Sequence, residues 1–378
     1  MEARQTEAVR LVIAPDSFKG SLTAREAAEA IRDGWLSVRP GDQPVLAPMA
    51  DGGEGSLDAF EAAVPGARRE PVMAVGPDDQ PVLAHWLRLP PAPGLPGGTG
   101  VVELAATSGL PLMRNGLRPF DAHTFGLGQA IAAALTLGVS RLLIAVGGSA
   151  STDGGVGALT AMGARLTDAA GAPVPYGNLG AARVARVSFD DIVPLPPAGA
   201  VVLTDVDNPL LGPRGAAAVF GPQKGASSDA AVRALEGSLA HFAEVVPGGR
   251  RLAKLPGAGA AGGVAFGLLA WGATLSPGAP AVAEALRLAE TIGGADLVIT
   301  GEGRFDGQSE AGKAPTQVAA VARAAGVPTA LVAGAVEASV AAFAAAASLT
   351  ELAGSTDAAL AEPARWAFAA GAALAQRV

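Results

Sequence analysis

Residues 296–313, DLVITGEGRFDGQSEAGK, constrain this chain more than any other stretch. The apolar run Leu297 to Ile299 has the length and β-branched content of a short buried strand. It stops at Thr300, in a loop that carries Glu302, Arg304, Asp306 and Lys313 among glycines. Charged groups gathered where a buried strand ends are the layout of an open α/β sheet, whose ligands sit beyond the carboxyl ends of the strands. The stretch also contains Gly307-x-x-x-x-Gly312-Lys313, the spacing of a phosphate-binding P-loop. In a true P-loop the strand runs straight into the first glycine, and Ser or Thr follows the lysine. Here the seven residues Thr300 to Asp306 intervene, Glu310 adds a negative charge, and Ala314 follows Lys313. No Walker role is assigned. Lys313 instead precedes a helix opened by Pro315, whose N-terminus can meet an anion.

The same strand–loop–helix alternation recurs upstream. Leu11 to Pro15 is a short strand that spills into Asp16-Ser17-Phe18-Lys19-Gly20; Ser21 or Thr23 then caps a helix through Trp35. A weaker strand, Pro44 to Pro48, leads to Asp51-Gly52-Gly53-Glu54-Gly55, where two acids among three glycines are denser than a turn requires. Residues 65–100 read as hairpins and loops, with a strand over Val82 to Leu89, and a helix is expected over 124–137. Arg141 to Val146 is a buried strand running into Gly147-Gly148-Ser149-Ala150-Ser151-Thr152-Asp153-Gly154-Gly155, a cradle type that presents backbone N–H groups to phosphate or carboxylate. The segment 165–195 reads as a β-rich excursion. Val201 to Thr204 ends in Asp205-Val206-Asp207-Asn208-Pro209, and such paired carboxylates beside an amide suit Mg²⁺, which keeps several waters. Gly257-Ala258-Gly259-Ala260-Ala261-Gly262 spells a dinucleotide fingerprint. No strand precedes it and no acid stands on a second strand about 20 residues later, so its small residues are read as permitting close packing. Helical patterns around 281–292 and from Pro315 to Ala325, a strand over Val327 to Gly334 and Ala/Leu-rich helices complete the chain.

At 378 residues, half of them hydrophobic, the chain predicts two domains with a large core. A net charge of −8 argues against a nucleic-acid partner, which would need a basic face. The absence of cysteine removes disulfides and thiolate chemistry, and His85, His123 and His241 lack metal-ligand spacing. The N-terminus MEARQTEAVR lacks the apolar segment of a signal peptide, so a cytoplasmic chain without a membrane partner is expected. Lysine usage is more pointed: 4 lysines stand against 23 arginines, and three of them lie in SFKGS, PQKGA and AGKAP. A compact ammonium meets a phosphate as a point charge, which a planar guanidinium does not reproduce.

VIAPDSFKGSL, ADGGEGS, GGSASTDGG, DVDNPLLGPRGAAAVFGPQKGA, PGAGAAGG and ADLVITGEGRFDGQSEAGKAP follow one another in the order found in class I glycerate kinases. From about residue 10 to 335 the chain resembles that family. The resemblance implies two α/β domains with the active site in the cleft between them. One is Rossmann-like and built from both chain ends (1–75 plus 285–378), and the other is inserted at 76–284. It implies ATP and Mg²⁺ as cofactors and phosphoryl transfer to D-glycerate, at the 2-hydroxyl to give 2-phosphoglycerate. Transfer to the 3-hydroxyl, and a sugar-acid sensor without turnover, are the alternatives. Under the resemblance Lys19, Asp205, Asp207 and Lys224 are catalytic, with Asp205 and Asp207 also the metal ligands. Asp16, Ser17, Asp51, Arg304, Asp306, Gln308 and Lys313 contact substrate, with Arg304 or Arg214 forked onto its carboxylate. Gly52, Gly53, Gly147, Gly148, Ser149, Asp153 and Gly154 hold nucleotide phosphates. Homo-oligomerisation is left open. The chain departs from the family pattern at Thr152, at Gln317 and in HTFGLGQ, which bears on contacts near 123–129 and on the start of the helix at 315.

Overall fold

The computed structural model describes residues 8–18, 20–307 and 313–377, so Lys19 and Gln308 lie outside the described residues. The chain divides into two compact units, residues 1–51, 58–65 and 278–378 in the first and 52–57 and 66–277 in the second. It is an α/β protein whose first sheet draws strands from both ends of the chain.

That sheet is parallel throughout. Its order is Ala345–Ser348, Thr329–Val336, Leu297–Phe305, Arg10–Pro15, Gln43–Leu46. Numbered within the unit this is 2-1-3-4-5, the doubly wound order of flavodoxin-like sheets rather than the 3-2-1-4-5-6 of a dinucleotide-binding Rossmann sheet. Strand order reverses between Arg10–Pro15 and Leu297–Phe305, which pair in the register Leu11↔Leu297 to Pro15↔Gly301. Leu11, Ile13, Leu297 and Ile299 share one core with the helices Ala24–Val38 and Pro363–Ala375. Each such fully buried side chain contributes roughly 1.5–3 kcal/mol. By alternation Val12 and Val298 face the other side, where the helix Ala314–Ala324 packs. Thr23 is the cap of the first helix: its hydroxyl accepts from the Glu26 N–H while Glu26 reaches back to the Thr23 N–H.

The strand expected to stop at Thr300 continues to Phe305. Gly301 and Gly303 explain the extension. A Cβ at Gly301 would lie 2.0 Å from the Val332 carbonyl oxygen, and one at Gly334 would lie 2.3 Å from that of Gly303. The bare backbones can therefore stay paired with Thr329–Val336 where larger residues would be pushed off. The expected helix at 281–292 is two, Gly278–Ala285 and Leu288–Ile292, broken at Arg287 with φ of 53°.

The second unit has a six-stranded sheet in the order Thr274–Ser276, Ala200–Leu203, Arg141–Ala145, Thr99–Glu103, Pro81–Leu89, Arg68–Val75. The first four strands are parallel, and the last two are added antiparallel as a hairpin. Arg68–Val75, which the expected boundary at 75 places in the first domain, thus belongs to the second sheet. The excursion at 165–195 is a two-stranded ribbon, Arg165–Thr167 with Arg186–Ser188, flanking the short helix Gly177–Ala181.

Candidate active site

Within the first unit the carboxyl ends of the strands open onto a cavity of about 370 Å³. Asp16 and Ser17 follow Arg10–Pro15; Arg304 and Asp306 come from the end of Leu297–Phe305; Lys313 is the cap residue of Ala314–Ala324. These five expected substrate residues line one cavity at the point where the strand order reverses, the place ligands occupy in open α/β sheets. Asp16 is 4% exposed, and its carboxylate accepts the Ser17 N–H at 2.6 Å while its own N–H donates to Gly301. Glu302 and Arg304, two positions apart on the strand, share a face: Glu302 is buried, whereas Arg304, nearer the strand end, is exposed and lies 3.7 Å from Glu337. Thr350 and Thr356 also line the cavity, and the Thr350 hydroxyl donates to Gly334 at 2.9 Å. The sequence carries no signal for them, because the strand that delivers Thr350 reads Ala-Ala-Ala-Ser and lacks β-branched residues. Asp51 is half-buried and does not line this cavity.

In the second unit two of the expected phosphate loops meet. Gly52 has φ of 84°, and a Cβ on Gly147 would lie 2.6 Å from the Gly53 Cα, so glycine at 147 is what lets the backbones touch. Glu103, at the end of Thr99–Glu103, accepts the Leu57 N–H at 3.1 Å and holds the first of these loops in place. Gly148 is exposed, whereas Ser149, Asp153 and Gly154 are buried. The Asp153 carboxylate serves the loop itself. One oxygen accepts from the Gly155 N–H at 3.0 Å, the other from the Thr124 N–H, the Thr124 hydroxyl and the Gly157 N–H at 3.0, 2.7 and 3.2 Å. A carboxylate buried this way is an acceptor for surrounding donors rather than a partner for phosphate.

Asp205 and Asp207 follow the strand Ala200–Leu203 and are both exposed. One Arg214 nitrogen bonds both Asp207 oxygens, at 2.7 and 2.8 Å, which keeps that carboxyl below the usual range. Arg214 is thereby engaged with Asp207. Among the described residues no group of three or more His, Cys, Asp or Glu side chains converges as a metal site. Two exposed carboxylates nevertheless match the donor type of Mg²⁺, which takes one or two carboxylates plus waters and phosphate oxygens.

Lys224 is 2% exposed, and its ammonium donates to the Ser151 carbonyl at 2.5 Å. Burial pulls its pKa down to about 7, partly opposed by the Asp153 charge. The Gly257–Gly263 segment supplies the close packing expected of it. Ala261, Gly262 and Gly263 are left-handed, and the Gly262 carbonyl accepts the Gly154 N–H at 3.1 Å.

Comparison with known proteins gives the family. The chain is 42% identical over 331 residues to the glycerate kinase of Halalkalibacterium halodurans, covering 86% of this chain and 85% of that one. It is 42% identical over 322 residues to the glycerate 2-kinase of Escherichia coli, covering 83% and 82%. The crystal structure of a candidate glycerate kinase 2 from Salmonella typhimurium LT2 superposes with a TM-score of 0.83 at 35% identity, covering 98% of each chain. Residues 11–378 match the glycerate kinase family, and the chain belongs to it.

Proposed function

We propose that this chain is a class I glycerate kinase that transfers the terminal phosphoryl group of ATP to the 2-hydroxyl of D-glycerate. The observation that carries this reading is the cavity that gathers Asp16, Ser17, Arg304, Asp306 and Lys313. It offers what a small hydroxy acid requires: a cation for the carboxylate and carboxylates to accept hydroxyl protons. Arg304 is the fork for the glycerate carboxylate, since it lines the cavity and Arg214 does not. Gly52, Gly53, Gly147 and Gly148 offer backbone N–H groups to the phosphates of ATP, and Lys19 adds positive charge.

Phosphoryl transfer demands positioning and charge neutralisation more than covalent help. Mg²⁺, when bound, neutralises and orients phosphate oxygens, and Asp205 and Asp207 are the donors that would hold it. Asp205 and Asp207 are also the candidates for the base that accepts the glycerate hydroxyl proton, and the arginine contact lowers the basicity of Asp207.

Incubation with D-glycerate and Mg-ATP, followed by phosphorus NMR, tests the reading. ADP and 2-phosphoglycerate are expected. A 3-phosphoglycerate product overturns the regiochemistry alone, and no ADP overturns the kinase reading.

A further inference from the structure

Three stretches far apart in the chain, PQKGA, GGSASTDGG and GAGAAGG, meet at one buried ammonium. Lys224 ends the short turn Pro222–Lys224, and its Nζ reaches the carbonyl of Ser151 in the middle of the 147–155 loop. Gly262 flanks that bond. A Cβ there would lie 2.1 Å from the Ser151 oxygen and 2.9 Å from the Lys224 Nζ, so any side chain at 262 would displace one or the other. The same loop is tied from its other side: the Ser149 hydroxyl donates to Ala261 at 3.2 Å, and the Gly154 N–H donates to Gly262. Ala261 is held at φ of 56°, a conformation costly for a residue with a Cβ, by the turn that makes these contacts.

A lysine kept in a chain that otherwise uses arginine, with its head buried against backbone, is not placed like a surface phosphate hook. The Ser151 carbonyl meets a compact ammonium as a point charge, a contact that a planar guanidinium does not reproduce. We propose that Lys224 is a positioning residue: its ammonium fixes the 147–154 loop in the shape that receives the phosphates of ATP, without itself touching them. The inference rests on the kinase reading above.

Two further facts agree. The charged side chain that faces the ammonium is Asp153, which belongs to the loop being positioned, while 257–263 brings only glycine and alanine. Because burial brings the ammonium close to neutrality near pH 7, the tie to Ser151 weakens as the proton leaves.

The test is a double-mutant cycle on the intact chain, with Lys224→Met and Gly262→Ala singly and together. Thermal melting checks the fold, and steady-state kinetics are run separately in ATP and in glycerate. Each single variant is expected to raise KM for ATP about tenfold, with kcat and KM for glycerate within about threefold of the parent. The double variant should be no worse than the poorer single, because both remove one contact. In the parent, KM for ATP should rise as pH increases through about 7, and in Lys224→Met that dependence should vanish. A fall in kcat of about a thousandfold in Lys224→Met beside a near-normal Gly262→Ala overturns the inference, since it marks direct contact with the transferring group. If Lys224→Met does not fold, Gly262→Ala alone decides: an unchanged KM for ATP overturns the inference and a raised one supports it. A parent that releases no ADP overturns the kinase reading itself.

Discussion

Asp153 and Lys224 bury opposite charges around one loop, and each should respond to substitution in its own way. Asp153→Asn turns one acceptor oxygen into an NH₂ group facing N–H donors from Thr124, Gly155 or Gly157. A loss of about 2–4 kcal/mol in urea unfolding is expected, because a buried charged acceptor is removed while its donors remain. For Lys224 the sign follows from the lowered pKa. The folded chain gives up the proton near pH 7, the unfolded chain only near 10.5, so between these values the unfolded state holds more protons. Through this residue stability rises with pH across that window, by on the order of 5 kcal/mol at the limit. Unfolding of the parent minus that of Lys224→Met, measured in urea from pH 7 to pH 9, should show that slope. ATP affinity is expected to move the opposite way, since it is the charged form that holds the loop.

Element packing in the first unit depends on two glycines where the first and last helices cross. A Cβ on Gly34 would lie 1.9 Å from the Phe368 carbonyl oxygen, and one on Gly371 would lie 2.2 Å from that of Ile31. Gly34→Ala must push Ala24–Val38 away from Pro363–Ala375, at a cost of about 1–3 kcal/mol that a thermal melt will read as a lower Tm. Thr23→Ala, which removes one side of the capping box, should cost about 1 kcal/mol by the same measurement. Helix starts of this kind are written locally, since Thr23 and Glu26 carry the whole signal. Strand ends are not. Leu297 to Phe305 outruns its apolar run because Thr329–Val336 lies beside it, and no property of residues 301–305 alone announces that neighbour.

On the scale of the whole molecule, the first unit needs both ends of the chain. A chain truncated after Pro277 loses Leu297–Phe305, the strand beside Arg10–Pro15, while every strand of the six-stranded sheet is retained. Hydrogen exchange should then show rapid loss of amide protection at Leu11 to Ile13 and preserved protection at Leu142 to Ile144; protection at both sites would refute the two-unit description. Among the described residues no helix is long and apolar enough to cross a membrane. The sequence by itself determined the α/β class, the loops that carry charge at strand ends, and membership of the glycerate kinase family, because short apolar runs and motif spellings depend only on neighbours along the chain. Tertiary structure alone decided the 2-1-3-4-5 strand order, the arrival of Thr350 at the cavity through a strand of alanines, and the burial of Lys224. Whether a charge is solvated or enclosed depends on which distant backbone comes to lie against it. For Lys224 that backbone is Ser151 and Gly262, which no local pattern around PQKGA specifies.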